Sequence, residues 1–415
     1  MKQLNLDSLE NFSNNLVLYG AGMIGRITKN YLDSKNIKVN YFCDSDDRLS
    51  GKIVDGLEII SRENLGKLKR DMNIFISNKY LKTVSNFLIT NGFKNIYDCS
   101  KIIEIFDIDN FYSKKKDVFE LQGGSGDYPL FKIKREMDFY LDMCKKEQFI
   151  SSNYLLLKSV DIQITERCSA KCINCCNLMQ YYERPEHSEF DSMFKTISKL
   201  MSVVDEVKEF RVIGGDAFMH KELHKVIKTL QKYKTKIIIY TNAKIIPKGE
   251  NLEALKGDNV IVDISNYNNE ASFRHDDLVN VLKSEKINYT SNKIVKWQDC
   301  GRILPYIERT EQELKDVFFN CCNSDLVSIL HGKLYRCPYS ANGTNLKAFP
   351  AEKSDFVDLL NENIDNEKLK KELYNLIYKK DYLLACSYCN GRDYSTKWIK
   401  AAEQTKKRLP YTKVS

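Results

Sequence analysis

The chain has 415 residues, 43% hydrophobic and 29% charged, which excludes a disordered or fibrous protein and leaves room for two or three separate cores. Its net charge of +8 comes from 64 basic and 56 acidic residues scattered along the chain, so neither a nucleic-acid partner nor a membrane partner is expected. The excess would suit an anionic substrate such as a nucleotide sugar. No apolar run of about 18 residues occurs, and Met1 to Phe12 does not read as a secretory signal. The expected location is the cytoplasm, where thirteen cysteines argue for metal or redox chemistry rather than disulfides. One basic stretch, Lys400 to Lys413, reads as a solvated end.

Asn15-Leu-Val-Leu-Tyr19 has the composition of a buried parallel strand. It runs into Gly20-Ala-Gly22-Met-Ile-Gly25, a helical pattern from Ile24 to Leu32, and a second strand from Lys38 to Phe42. Asp44 follows, 24 residues after Gly20. This order is the dinucleotide-binding fingerprint. The glycines would let backbone approach a pyrophosphate, the helix N-terminus would supply N–H groups, and Asp44 would bind a ribose. Asp46 and Asp47 suit phosphate less well on that side. A hairpin from Ile53 to Ile60, strands Asn73 to Ser77 and Asn95 to Tyr97, and a helix Tyr80 to Asn91 continue the pattern. Residues 1 to about 110 therefore read as a small Rossmann-like domain with a possible nucleotide; a scaffold that binds nothing is the alternative. The domain resembles N-terminal domains of nucleotide-sugar-modifying and polysaccharide-biosynthesis enzymes.

Residues 111–155 read as a linker with a charged patch (Lys114 to Asp117), a turn cluster (Gly123 to Gly126) and a mixed helix (Lys134 to Cys144). The strand Val160 to Ile164 then leads into Cys168-Ser-Ala-Lys-Cys172-Ile-Asn-Cys175. Three thiolates can hold three irons of a four-iron cluster and leave the fourth open to a small molecule. A zinc knuckle with Cys176 as fourth ligand, or three buried thiols, are the alternatives. The aromatics of Asn177 to Tyr182 would shield the cluster or simply pack; His187 reads as a surface or a site residue.

A helix, Ser192 to Val204, precedes the strand Glu209 to Ile213, which ends in Gly214-Gly215-Asp216. Such glycines let backbone approach a ligand, and the acid can accept from an ammonium. His220 and His224 share a helix face without a visible third ligand, so they read as packing or surface groups. Strands Lys236 to Tyr240, Val260 to Ile264 and Ile287 to Thr290 alternate with helices Asn251 to Lys256 and Asp276 to Ser284. The first two stop in Thr241-Asn242 and Ser265-Asn266-Tyr267, small polar residues at the end where a β/α barrel keeps its site.

Six cysteines follow: Cys300, Cys321, Cys322, Cys337, Cys386 and Cys389. Cys321 or Cys322 with Cys337, Cys386 and Cys389 would close a second site, fully ligated by protein and suited to electron transfer or structure. Zinc is its rival occupant. Cys300 has no partner at ligand spacing. It reads as a buried thiol, or as a catalytic hydrogen-atom donor to a substrate radical.

The first cysteine triplet resembles that of the radical S-adenosylmethionine (SAM) enzymes, with Asn174 where that family usually has an aromatic residue. The resemblance covers about residues 156 to 395. It implies that the open iron binds SAM, and that an electron, delivered by a protein such as flavodoxin or ferredoxin, cleaves SAM to a 5′-deoxyadenosyl radical. That radical abstracts hydrogen from the substrate. By the same resemblance Gly214, Gly215 and Asp216, in place of Gly-Gly-Glu, bind the SAM amino group. Thr241, Asn242, Ser265 and Asn266 touch its ribose and carboxylate. The late cysteines resemble the auxiliary-cluster domains called SPASM and twitch, in the shorter twitch form, with a spacing similar to that of aminocyclitol dehydrogenases. Cys175 to Tyr182 and Gly332 to Ala341 resemble radical SAM proteins encoded with glycan-assembly enzymes.

The expected α/β architecture is a Rossmann-like domain (1–110), the linker (111–155), a partial (β/α)6 barrel (156–299) and a twitch domain with tail (300–415). The expected reaction is oxidation of a hydroxyl of a sugar or nucleotide sugar to a ketone, with an auxiliary 4Fe-4S cluster accepting an electron. Epimerisation or dehydration of a sugar is the alternative. A non-catalytic iron–sulfur or zinc scaffold is the alternative of another class.

Overall fold

Short apolar runs bounded by polar turns form the strands of the first sheet: β1 (Leu16–Tyr19), β2 (Tyr41–Cys43), β3 (Ile53–Val54), β4 (Leu57–Ile60), β5 (Asn73–Ile76) and β6 (Asn95–Asp98). The computed structural model describes all residues except 1, 3, 79–80, 115–129, 150–153, 320, 322, 324–325, 393–395 and 415. By internal contacts the chain divides into two units, Met1–Leu121 with Asp127–Ser152, and Gln122–Gly126 with Asn153–Ser415.

In the first unit the strand order is β3-β4-β2-β1-β5-β6, parallel except for the β3–β4 hairpin. Every residue of β1 and β5 is buried, as strands covered on both faces require. β2 lies on one side of β1 and β5 on the other, so the strand order reverses at β1, where open α/β sheets form a crevice. Gly20 begins the loop there, and the helix Met23–Ser34 follows. A Cβ on Gly25 would lie 1.9 Å from Gly20 O, so this glycine is needed for the helix to pack on the strand end. One on Gly22 would meet nothing within 4 Å.

The segment expected to be a linker contributes to the core through one helix. The helix Leu130–Phe149 sends Ile133, Met137, Tyr140 and Cys144 into the same apolar cluster as β1 and β5. Their spacing of four, three and four places them on one helix face. Tyr140 donates to Ile76 O at 2.6 Å and accepts from Cys99 N–H at 2.8 Å. The first unit therefore extends beyond the expected boundary at 110, to Ser152. The turn cluster Gly123 to Gly126 and most of the charged patch Lys114 to Asp117 lie outside the described residues.

The second unit begins with β7 (Leu156–Thr165), β8 (Glu206–Gly214), β9 (Lys236–Thr241), β10 (Val260–Asn266) and β11 (Tyr289–Lys293). These pair in parallel in that order, with a helix between each pair. β12 (Lys296–Gln298) leaves the series and pairs antiparallel with β16 (Trp398–Lys400). β13 (Leu326–Leu330) instead joins the free edge of β7 in parallel, and β14 (Lys333–Tyr335) and β15 (Phe356–Asp358) follow antiparallel. The expected six-unit barrel is thus corrected to five consecutive parallel strands. A sixth parallel strand comes from the region assigned to the twitch domain. That region is no separate body: Val327, Ile329 and Leu334 share one core with Val160 and Ile162. Among the described residues no helix is long and apolar enough to cross a membrane.

Gly25→Ala should lower the stability of the first unit by about 1–3 kcal/mol, since the methyl must displace backbone. Gly22→Ala, whose methyl meets open space, should cost less than about 1 kcal/mol. Urea unfolding followed by far-ultraviolet circular dichroism measures both.

Candidate functional site

The loop carrying Cys168, Cys172 and Cys175 leaves the C-terminal end of β7. It has no ladder of its own, so its backbone polar groups need partners elsewhere. Thr165 O accepts from Gly215 N–H at 2.8 Å, and Arg167 O from Asp216 N–H at 2.9 Å. A Cβ on Gly214 would lie 2.1 Å from Thr165 O, and one on Gly215 2.1 Å from Arg167 O. Both glycines are required because the cysteine loop lies directly on them, a reason independent of any ligand. On another side Arg302 Nε donates to Asn174 Oδ1 at 2.7 Å, and a Cβ on Gly301 would lie 2.0 Å from Asn174 O.

Asp216 is buried, 1% exposed. Its carboxylate accepts from Thr241 Oγ1 and Asn242 N–H at 3.1 Å and from Phe218 N–H at 3.0 Å. It ties the end of β8 to the end of β9. Burial raises its pKa, and these donors partly offset the rise. Asn242 Oδ1 accepts from Lys244 N–H at 3.0 Å, which turns Nδ2 toward Ser169 Oγ at 3.2 Å and Cys168 Sγ at 3.6 Å. Asn266 Oδ1 closes its own turn by accepting from Asn268 N–H at 2.9 Å. The Ser265 side chain bonds the Tyr267 phenol, which lies within electrostatic reach of Cys172, Cys175 and Cys168. Tyr267 meets Trp297 edge-on at 5.4 Å between ring centroids. Neither ring was assigned a role in the sequence analysis, because aromatic residues at strand ends are common in cores.

The basic stretch keeps Lys400, Lys406, Lys407, Arg408 and Lys413 exposed, but its backbone is tied to the cysteine loop. Ala401 and Ala402 are buried. Ile173 N–H donates to Glu403 O and Thr405 N–H to Lys171 O, both at 2.7 Å. Gln404 Oε1 accepts from Lys171 N–H at 2.8 Å, and its Nε2 lies 3.1 Å from Cys172 Sγ. Farther on, Leu409 N–H donates to Gln180 O at 3.1 Å, and Tyr411 donates to Leu346 O at 2.9 Å. The loop's unpaired backbone groups draw the tail in despite its charge.

A cavity in the same unit is lined by Cys321, Cys337, Cys386 and Cys389, and also by Cys176 and Cys300. Arg336 and Arg392 reach it as well. Its volume is about 40 Å³. Cys322 lies outside the described residues. Arg309 donates to Cys386 O and Cys389 O, which fixes the Cys-x2-Cys turn. Cys300, the candidate hydrogen donor, thus stands on the wall of this cavity, and the adjacent Gly301 packs on Asn174. Cys176, left without a role once a cluster was favoured, shares the cavity, although its neighbour Cys175 belongs to the first set.

Burial pushes the Cys168 thiol up to about 12, with Asp216 adding to the rise. It pushes Cys172 up to about 11, with Gln404 and Lys244 partly opposing. Cys175 is raised strongly by burial and by Cys176, Cys172 and Cys168. Burial likewise pushes Cys337 and Cys389 up to about 12 and Cys386 to about 11. Sulfur-ligated groups bind by displacing such protons.

Both sets fit such a group. Ala170 N–H points at Cys168 Sγ (3.4 Å), Ser340 N–H at Cys337 Sγ (3.3 Å) and Gly391 N–H at Cys389 Sγ (3.3 Å). N–H donors serve a thiolate better than a thiol. Cys337 also caps the helix Pro338–Asn345, whose dipole favours negative charge. Among the described residues no three His, Cys, Asp or Glu side chains gather tightly enough for a single metal ion. His220 is buried, accepting from Glu222 N–H at 3.1 Å and bonding Ser188 O at 3.2 Å, with His187 4.9 Å away edge-on. His224 bonds Asn251.

In the first unit Asp44 accepts from Ala21 N–H at 2.9 Å and Asp46 N–H at 3.0 Å. The carboxylate expected at a ribose is therefore turned onto the glycine loop itself. Gly20 N–H is also taken, by Cys43 O at 2.7 Å. Gly22 alone of the three glycines has no internal contact that demands it.

Residues 12–102 match the family described as C2185-like, N-terminal. No curated protein matches the chain in sequence. Among solved structures, Streptococcus suis SuiB bound to precursor peptide SuiA is 14% identical, over 46% of this chain and 45% of that one, with a TM-score of 0.29. The chain thus spans less than half the length of that structure. SuiB bound to S-adenosylmethionine is 12% identical over 70% and 84%, with a TM-score of 0.34. BtrN in complex with AdoMet and 2-DOIA is 13% identical over 62% and 98%, with a TM-score of 0.35. The chemistry of the site rests on its own residues.

The metal-free chain should lose stability as the pH rises from about 8 to about 10. Unfolded thiols ionise near 8.5, whereas the buried ones stay protonated, so the unfolded state binds fewer protons. Urea midpoints across that range measure the fall, and a chain with its sulfur-ligated groups in place should show much less of it.

Proposed function

We propose that the second unit is a radical SAM oxidoreductase. The observation that carries the reading is that Cys168, Cys172 and Cys175 share one packed cluster on the loop at the C-terminal end of β7, beside the Asp216–Thr241–Asn242 cluster. Cys168, Cys172 and Cys175 would hold a four-iron cluster with one iron left for SAM. Cys321, Cys337, Cys386 and Cys389 would hold an auxiliary four-iron cluster. When bound, the first cluster together with SAM and one electron from the reductant would supply a carbon radical able to take a hydrogen atom from a substrate carbon, and the auxiliary cluster would accept the electron left behind, so that a hydroxyl would become a ketone with its proton released to solvent.

The chain's own residues prepare that chemistry. Gly214 and Gly215 let the cysteine loop settle on β8. Asp216 fixes the Thr241–Asn242 turn at the mouth of the sheet. Ala170, Ala271 and Ala402 pack around the triplet, with Tyr267 and Trp297, and keep water from it. The proposed substrate is a sugar or nucleotide sugar, and the proposed reductant a small flavodoxin- or ferredoxin-type protein. A nucleotide in the first unit remains part of the proposal through Gly22, at the helix N-terminus.

Anaerobically purified protein should contain about eight irons per chain. With SAM and dithionite it should form 5′-deoxyadenosine. Cys168→Ala should lose about half of the iron and all of that product. Cys337→Ala should lose the other half and keep the product, while substrate oxidation stops. Mass spectrometry with a panel of nucleotide sugars should find a product lighter by a pair of hydrogens. Zinc with little iron, or a fully loaded protein that leaves SAM intact, would overturn the reading.

A further inference from the structure

Gln404 places an amide N–H against a sulfur of the first cysteine set, and its orientation is fixed. A backbone N–H can only donate, so the atom facing Lys171 N at 2.8 Å is the amide oxygen. The nitrogen must then face Cys172 Sγ at 3.1 Å and Ala402 O at 2.8 Å. Both amide hydrogens are accounted for, one on a carbonyl and one on the sulfur. The backbone holds this arrangement from either side, through Glu403 O to Ile173 and Thr405 to Lys171 O. Ala402 is 1% and Cys172 8% exposed, so water does not compete for the sulfur.

An N–H donor on a ligand sulfur stabilises the more negative, reduced state of an iron–sulfur cluster and so raises its reduction potential. We propose that Gln404 is a positioning residue that sets the potential of the cluster held by Cys168, Cys172 and Cys175. It acts through the Cys172 sulfur and rests on the function proposed above. The tail thereby acts on a redox centre more than two hundred residues earlier in sequence. Asn242 Nδ2 faces Cys168 Sγ more distantly, at 3.6 Å, so Gln404 carries the larger part of the effect.

The test is a redox titration followed by electron paramagnetic resonance on the anaerobic full-length chain, read from the signal that changes when SAM is added. In Gln404→Leu the midpoint should fall. At fixed solution potential the reduced-to-oxidised ratio should drop on the order of tenfold, equivalent to about 59 mV for a one-electron centre. Gln404→Glu keeps the acceptor for Lys171 N–H but sets an oxygen against the sulfur, so its midpoint should fall at least as far. It decides the matter where the leucine variant takes up too little iron. A loaded wild-type protein whose variants keep its midpoint overturns the inference and leaves the proposed function standing. A wild-type chain that takes up no cluster overturns both.

Discussion

The second unit depends on how one irregular loop satisfies its backbone. Between the end of β7 and the helix Phe190–Met201 the chain makes no continuous ladder, yet Ala170, Cys172, Leu178 and Tyr181 are buried. Buried N–H and C=O groups without partners are costly, so other segments must reach the loop. The end of β8 does so through two glycines, the tail through Glu403 to Thr405, and a third segment through Gly301 and Arg302. At Gly214, Gly215 and Gly301 the approach is close enough that a side chain would collide. Holding three sulfurs in place is thus the work of segments spread over most of the unit.

The same burial sets the electrostatics. Six described cysteines in the two proposed ligand sets have thiols pushed upward by lost solvation. That would be a poor design for reactive thiols working alone, which are usually lowered and partly exposed. It suits thiols whose protons are to be exchanged for metal. Donors from backbone and amide groups already face several of the sulfurs and would cost little to reorganise.

Much of this was legible in the chain. The alternation of apolar runs with Gly20, Gly22 and Gly25 specified the first sheet, since strand and helix periods differ. The Cys-x3-Cys-x2-Cys and Cys-x2-Cys spacings marked both thiol sets, because ligand spacing is local. What was not legible depends on contacts between distant positions. Ile133, Met137 and Tyr140 sit in a charged helix whose composition suggested a linker. Lys400 to Lys413 does expose its Lys and Arg side chains, but the pairing of its backbone with the loop left no mark in its composition. Gly214 and Gly215 were noticed for a ligand, and their strand-end position could not show that the cysteine loop also lies against them. Asp44 was placed correctly after β2, but spacing alone could not say that its carboxylate turns back onto Ala21.

The pairing of β13 with β7 bears on modularity. β7 is buried along its whole length, and on one edge the strand that covers it comes from residues 326–330. A chain cut before that segment would leave a long apolar edge with open hydrogen-bonding groups, the kind of surface that templates aggregation. The cysteine-rich C-terminal region therefore cannot be treated as a detachable cassette, to be trimmed away or transplanted onto another scaffold. Any shuffling of parts among such chains would have to carry β7 and β13 together.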